Sequence, residues 1–244
     1  MKKKLGIFPI VLLMVGLATW SCTSENNCYL SEITYSGGAV SQFSYENGRL
    51  MKVTNYGSDG YLSNNLQIYR DTEGKIIRVD DVLPNGWLYA RYLCTYNIQG
   101  KLGEVYLMFD DDHDGNAELF FSRTSYTYVN NELTNLTSYN LSSVVLQSTN
   151  LTWQNGNLTG VDNTLTNTQH YYSYDSGKSV ASTISDLYFI ILPASSLISK
   201  NNMTQDDYYS GGTLISTFNY TTSYDAEGYP VLRNGAEIYT WDCN

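Results

Sequence analysis

Apolar and polar residues alternate in short runs along this chain, and polar turns separate the runs. Strand side chains point to opposite faces in turn, so Phe43/Tyr45, Tyr92/Cys94/Tyr96, Tyr126/Tyr128 and Tyr172/Tyr174 each share one face of a half-buried β-strand. The runs recur. An aromatic residue, a short polar turn that usually carries glycine, and two spaced apolar residues follow one another in "YENGRLMKV" (from Tyr45), "YRDTEGKIIRV" (from Tyr69), "YNIQGKLGEV" (from Tyr96), "YVNNELTNL" (from Tyr128) and "WQNGNLTGV" (from Trp153). Degenerate copies stand at Tyr174 ("YDSGKSV") and Tyr224 ("YDAEGYPV"). The anchors lie 24, 27, 32, 25, 21 and 50 residues apart, the last step long enough for two units or for one unit and an insertion. Self-similarity at such a period signals a repeat architecture.

Each unit reads as a β-hairpin. Asn47-Gly48 and Asn155-Gly156 supply the positive-φ residues that tight hairpin turns need. Beyond the turn, Leu50/Val53, Ile76/Val79, Leu102/Val105, Leu133/Leu136 and Leu158/Val161 recur three apart, which in a regular strand places the two on opposite faces. Either the sheet has apolar contacts on both sides, or each second strand is bulged and strongly twisted. The fold expected is therefore all-β: repeated antiparallel hairpins forming one strongly curved sheet or a partial or closed barrel, in a single domain over 28–244. One segment breaks the pattern. In "SDLYFIILPASSLISKNN", Leu187, Ile190, Ile191, Ala194, Leu197 and Ile198 fall at helical spacing, with Ser185 or Asp186 available as N-cap. This predicts a short helix near 186–198, kinked or ended by Pro193; a buried strand through Tyr188 to Leu192 is the other reading.

The N-terminus changes the setting. Lys2, Lys3 and Lys4 precede an apolar run of 14 residues, Leu5 to Ala18, too short to span a bilayer comfortably. With Thr19-Trp20-Ser21-Cys22 behind it, this reads as a secretory signal over 1–21. Its end resembles a bacterial lipobox, which implies lipidation of Cys22 and a short tether over 22–27, although Thr19 and Trp20 depart from the usual pattern; plain secretion is the alternative. Without the signal the chain keeps eleven Lys and Arg against 24 Asp and Glu, a formal charge of −13. Such a surface repels phosphate backbones and anionic headgroups, so nucleic acid is not an expected partner and membrane contact is expected through the lipid anchor only. Of the other cysteines, Cys28 and Cys243 lie near the two ends, and a bridge between them would tie the termini together in an oxidising envelope. Three buried thiols, Cys94 included, are the alternative.

Candidate chemistry centres on "FDDDHDGNAELF". Asp110, Asp112, Asp114, Gly115 and Glu118 take loop positions one, three, five, six and nine, and alternating carboxylates before a turn glycine can wrap around Ca2+. The stretch is similar to the calcium loops that join strands in integrin-type β-propellers, with Asp111 where that family prefers an apolar residue. The candidate ligands are Asp110, Asp112, Asp114 and Glu118; a solvated acidic hairpin loop is the plain alternative, and a bound ion would serve to rigidify the hairpin. His113 reads as a solvated tip residue and His170 as a packed strand residue. No nucleophile elbow, phosphate loop or zinc-helix motif is present, and Asp80/Asp81 and Asp206/Asp207 are expected to point to opposite faces, so no enzyme activity is expected. The aromatic supply points instead to binding. Trp87, Tyr89 and Arg91 share a strand face behind the Pro84-Asn85-Gly86 turn, and rings on a curved sheet can stack on sugars while their polar tips bond hydroxyls.

The unit Tyr45 to Val53 resembles the tyrosine-aspartate repeats of Rhs-type proteins. Together with the signal and with "SKNNMT" (Ser199 to Thr204), the chain looks more like a gut-bacterial envelope lipoprotein family of unknown function with a porin-like fold. The resemblance covers roughly residues 28 to 243. It implies a curved antiparallel sheet in water, and no known activity. A membrane-spanning barrel is disfavoured because its strands need an apolar outward band, whereas these faces mix Ser, Thr, Asn and Lys with Tyr. The expectation is an outer-membrane lipoprotein of the bacterial cell envelope, periplasmic or surface-exposed. Its expected role is non-catalytic binding of glycan or another extracellular ligand; the alternatives are a structural component that contacts an envelope protein and, third, a hydrolase with acids from distant strands.

Overall fold

Two turn chemistries join the strands. Asn47-Gly48 (φ 51° and 74°), Asn130-Asn131 (49° and 73°) and Asn155-Gly156 (54° and 81°) take positive φ at both central positions, the geometry of two-residue turns whose twist matches that of the flanking strands. In the longer turns an Asp or Asn follows the anchor directly. The Asn97 side-chain oxygen accepts from the backbone N–H of Gln99 and of Lys101, both at 3.0 Å. Asp71, Asn140 and Asp225 do the same for the residues two and four places on. This is the side-chain mimicry that favours Asp and Asn in turns.

The computed structural model describes residues 28–112, 114–192, 194–195 and 198–243. The signal 1–21, the tether 22–27 with Cys22, and the residues His113, Pro193 and Leu197 lie outside the described residues. The described residues form seventeen strands: β1 (Cys28–Thr34), β2 (Val40–Glu46), β3 (Arg49–Tyr56), β4 (Leu62–Arg70), β5 (Ile76–Val82), β6 (Leu88–Tyr96), β7 (Leu102–Phe109), β8 (Leu119–Val129), β9 (Glu132–Tyr139), β10 (Val145–Gln154), β11 (Asn157–Asn163), β12 (Thr168–Tyr174), β13 (Met203–Ser210), β14 (Thr213–Asn219), β15 (Thr222–Tyr224), β16 (Pro230–Arg233) and β17 (Glu237–Cys243). They make one antiparallel sheet in which sequence neighbours pair from β1 to β14 and from β15 to β17. β1 also pairs with β17. No register pairs join β14 to β15, so the sheet is neither the closed barrel nor the strongly curved sheet that the repeat suggested, but an open one.

The three-residue spacing is resolved in favour of bulges. Opposite each anchor the register shifts by one, as between Ser44/Tyr45 and Lys52/Leu50, Thr95/Tyr96 and Glu104/Leu102, and Thr152/Trp153 and Gly160/Leu158. The extra residue bends the strand and returns Leu50 and Val53, or Leu158 and Val161, to one buried face. The polar tip of the anchor then reaches across to the unit before it. Tyr96 Oη donates to the Ile76 carbonyl at 2.8 Å, Trp153 Nε1 to Leu133 at 2.6 Å, Tyr174 Oη to Leu158 at 2.5 Å and Trp241 Nε1 to Pro230 at 2.7 Å. In the second unit the register corrects the expected anchor. Arg70, not Tyr69, stands opposite Ile76, and its guanidinium donates to the Leu50 carbonyl from Nε and Nη2. Tyr69 lies on the other face, with the Arg78 guanidinium 3.6 Å from its ring centroid.

One core runs through residues such as Leu30, Leu50, Val79, Val105, Leu136, Leu158 and Tyr239, and it includes Ala181, Ile184, Leu187 and Ile190 from an insertion between β12 and β13. The insertion holds a 3-10 turn (Val180–Thr183) and one helix, α1 (Ser185–Ile191). It is shorter than expected: it ends at Ile191, with Leu192 as its C-cap one residue ahead of Pro193 in the sequence. Neither Ser185 nor Asp186 caps it. Ile184 holds the cap position without a side-chain bond, and Asp186 sits in the first turn. Strands far apart in the sheet meet this helix, since Arg70 of β4 bridges Asp186 at 2.8 Å and Tyr126 of β8 donates to the Phe189 carbonyl at 2.7 Å.

The "SKNN" stretch fastens the insertion. Ser199 Oγ accepts from Leu158 N and donates to Tyr174 Oη, Asn201 and Asn157 exchange two hydrogen bonds, and Asn202 accepts from Val180 N while donating to the Tyr224 hydroxyl. At the termini, Cys28 and Cys243 are bridged and stand directly opposite each other in the β1–β17 register. Such bridges persist in oxidising compartments.

Replacing Tyr96 by Phe should cost about 1 kcal/mol in urea denaturation, the net worth of one buried hydrogen bond. The same change at outward-facing Tyr69 should cost less. Equal effects would remove the distinction between the two positions.

Candidate functional site

The predicted aromatic residues lie at the end of β6 away from the anchors, where Phe109 of β7 stands opposite the buried Ala90. Arg91 stands opposite Asp80 and points outward, whereas Tyr89 is the extra residue of a bulge, because Ala90 pairs with Asp81 and Leu88 with Val82, so the simple alternation that would put Trp87, Tyr89 and Arg91 on one face does not hold here. Trp87 and Tyr89 are 48% and 50% exposed. Arg91 is committed elsewhere, with Nε and Nη2 donating to the two oxygens of Asp80 at 2.7 and 3.0 Å. The aromatic surface extends across the neighbouring strands instead. The Tyr89 ring meets Phe109 edge-on at 5.5 Å, and Phe109 meets Phe121 edge-on at 5.2 Å, with Phe121 54% exposed. Alternation within one strand does not indicate this row, because Tyr89 and Phe121 are the extra residues of bulges and meet Phe109 only through the register between β6, β7 and β8.

The acidic loop follows Phe109 directly. One carboxylate oxygen from each of Asp110, Asp112 and Asp114 lies within 4.8 Å of the others. Glu118 is exposed and stands outside that group. Asp110 is 4% exposed; its Oδ2 accepts from Gly115 N at 2.9 Å, while its buried Oδ1 has no hydrogen-bond partner. Hard carboxylate oxygens at this spacing suit a divalent cation such as calcium.

Two further polar groups face inward. A hydrogen-bonded chain crosses four strands, from Ser41 to Asn55 at 2.7 Å, Asn55 to Asn64 at 2.9 Å, and Asn64 to Asp81 at 2.6 Å. Burial raises the Asp81 carboxyl above its ordinary value, and the Asn64 bond opposes the shift. Asp80 takes the other face, as expected for adjacent strand residues. Across β12 and β13, His170 Nδ1 lies 2.9 Å from Asp206 Oδ1, with the Tyr208 ring 4.9 Å from the imidazole. Sequence reading treated these two residues separately, and only the register between their strands joins them. No hydroxyl or thiol hydrogen-bonds His170 among the described residues. The Cys94 thiol is buried and pushed up to about 12 by desolvation, which keeps it from acting as a nucleophile.

α1 fills only part of the space over the inner face. On one side a cavity of about 470 Å³ is lined by Tyr92, Leu107, Thr124, Gln147, Thr149 and Ile190, with no charged group on its wall. On the other, near the turns, a second cavity of about 410 Å³ lies between α1 and the anchors Arg70, Tyr96 and Tyr128.

Fold and sites together define an all-β protein of bulged hairpin repeats around an inserted helix, bearing an exposed aromatic row beside an acidic loop. No protein-family model matches the chain, and no curated protein matches it in sequence. In structure it is similar to a porin-like protein from Bacteroides uniformis, at 17% identity and a TM-score of 0.56, over 87% of this chain and 98% of that one. A porin-like protein from Bacteroides vulgatus matches at 12% identity and a TM-score of 0.38, over 88% and 99% of the two chains. The TcdB2–TccC3 crystal structure matches at 12% identity and a TM-score of 0.24, over 86% of this chain and 16% of that one. The first likeness shows a shared fold.

Asp81 offers a test of the inner chain. Because its folded-state pKa is raised, the native protein holds that proton more tightly than the unfolded chain does. Its contribution to stability is complete below the ordinary carboxylate value and is lost as pH rises through the raised one. Asp81→Asn keeps an acceptor for Asn64 and should flatten that decline in melts between pH 4 and 8. An unchanged pH profile would refute the assignment.

Proposed function

We propose that the protein is a non-catalytic binding module of the bacterial envelope, anchored by a lipid on Cys22, which takes glycan or another extracellular ligand on its exposed aromatic row. The observation that carries this reading is the run of rings Tyr89–Phe109–Phe121, in which Tyr89 and Phe121 are about half exposed and none of the three is an anchor; Trp87, 48% exposed, stands two residues before Tyr89. Other aromatics are spent as inward anchors. Rings held on a rigid strand surface lose little entropy on binding, and their faces suit the apolar faces of sugars. The Cys28–Cys243 bridge supports an extracytoplasmic setting, and the likeness to Bacteroides porin-like proteins is in keeping with the envelope family that the sequence resembles. The outer face carries the ion pairs Asp80–Arg91 and Glu104–Arg123, which lipid would penalise, so the sheet is read as standing in water. Among the described residues no helix is long and apolar enough to cross a membrane.

Retention on immobilised polysaccharides tests the reading. Trp87→Ala and Phe121→Ala should each weaken binding about tenfold, equivalent to roughly 1.4 kcal/mol. No retention across a broad glycan panel, or variants that bind as the parent does, would count against it. A second reading, a contact surface for another envelope protein, is favoured by the open side of β14, where Leu214, Ile215 and Phe218 are about half exposed. An uncapped strand edge is a template for pairing with another chain.

Within the first reading, calcium on Asp110, Asp112 and Asp114 holds the hairpin that carries Phe109 and Phe121. The unpartnered Asp110 Oδ1 supports it. Calcium should raise the melting temperature, EDTA should reverse the shift, and Asp112→Ala should abolish it. A melt indifferent to both additions would dismiss the ion.

A further inference from the structure

We infer that the cleft between α1 and the inner anchors Tyr96 and Tyr128 binds an amphipathic organic anion, an apolar body bearing one carboxylate or sulfate. The site shares no residue with the exposed aromatic row and does not depend on it. Its volume of about 410 Å³ falls in the range of roughly 300–1,000 Å³ that holds small organic ligands. The floor is apolar, with Ile76 and Leu102 from the bulged strands and Phe189 from the helix. Tyr96 and Tyr128 form the wall.

The rim is cationic. Arg70, Lys75 and Lys101 line the cleft against a single acid, Asp186, in a chain whose formal charge is −10. Two of the three are already matched. Arg70 Nη1 bridges Asp186 at 2.8 Å, and Lys75 Nζ bridges the exposed Glu73 at 2.6 Å. Lys101 is not. Its Nζ donates to the Asn131 side-chain oxygen at 2.8 Å and stands 4.8 Å over the Tyr128 ring, and it makes no ion pair among the described residues. Lys75 stands 5.5 Å over the next ring, that of Tyr96. Arg49 adds a further cation nearby. Its guanidinium occupies the place where a Cβ on Gly74 would sit, so glycine there both permits the turn's φ of 88° and makes room for the charge.

An apolar slot with one unmatched ammonium at its mouth discriminates among ligands. A neutral sugar would leave the lysine without a counter-charge and the floor without apolar contact. A polyanion would meet the acidic remainder of the surface. A single anionic head on a hydrocarbon body satisfies both parts, its head at Lys101 and its body against Ile76, Leu102 and Phe189.

Isothermal titration of the folded protein with decanoate, and with decyltrimethylammonium as the equal-chain cation, tests this. Decanoate should bind once per chain and at least tenfold tighter than the cation. Lys101→Met keeps the aliphatic stem and should weaken decanoate about tenfold, with Lys75→Met as a second variant acting in the same direction. Lys52→Met, on the outer face, should leave it unchanged, and circular dichroism should show every variant folded. Absence of decanoate binding, equal binding of anion and cation, or a Lys101→Met protein that binds as the parent does would each overturn the inference.

Discussion

The structure depends on a bond between repeats rather than within them. A bulge sets one residue out of register, and the polar tip of the next anchor donates to a carbonyl at that point. Tyr96, Trp153 and Tyr174 do this with a hydroxyl or an indole N–H. Two requirements meet in one side chain. The ring covers the apolar rung beneath it, and the tip satisfies a backbone oxygen that burial would otherwise penalise. A phenylalanine meets only the first requirement, which explains why tyrosine is so abundant here and why leucine fills the rung positions but not the anchors.

This logic also explains what could be read in advance. Anchor, turn and paired apolar residues are local, so hairpins, tight Asn-Gly turns and the all-β class follow from sequence. Two alternatives remained for the apolar spacing, and the bulges choose between them. Arg70 stands outside the aromatic pattern because the position needs only an apolar stem with a donor at its end, and arginine offers both. The anchor's partner carbonyl lies between 11 and 20 residues upstream, and no local pattern marks it.

Other features depend on long-range register. His170 and Asp206 meet across two strands separated by the whole insertion, and the Tyr89–Phe109–Phe121 row joins three strands. "SKNN" could be quoted as a signature, but its work became visible only with its partners: Asn201 and Asn157 interlock, and Ser199 ties the segment to an anchor hydroxyl. The helix was legible in outline, and it ends with Leu192 as its C-cap one residue ahead of Pro193. The clefts beside it arise because one short helix cannot cover an inner face built by so many strands.

The seam of the sheet lies in the interior of the sequence. Sulfur and β1–β17 pairing seal the two chain ends, whereas β14 and β15, joined only by Tyr220 and Thr221, share no ladder. Termini are ordinarily where a sheet frays. Here the unpaired margin falls near residue 220, and a protease that cut there would release no fragment, because the halves on either side of the nick stay joined through Cys28 and Cys243.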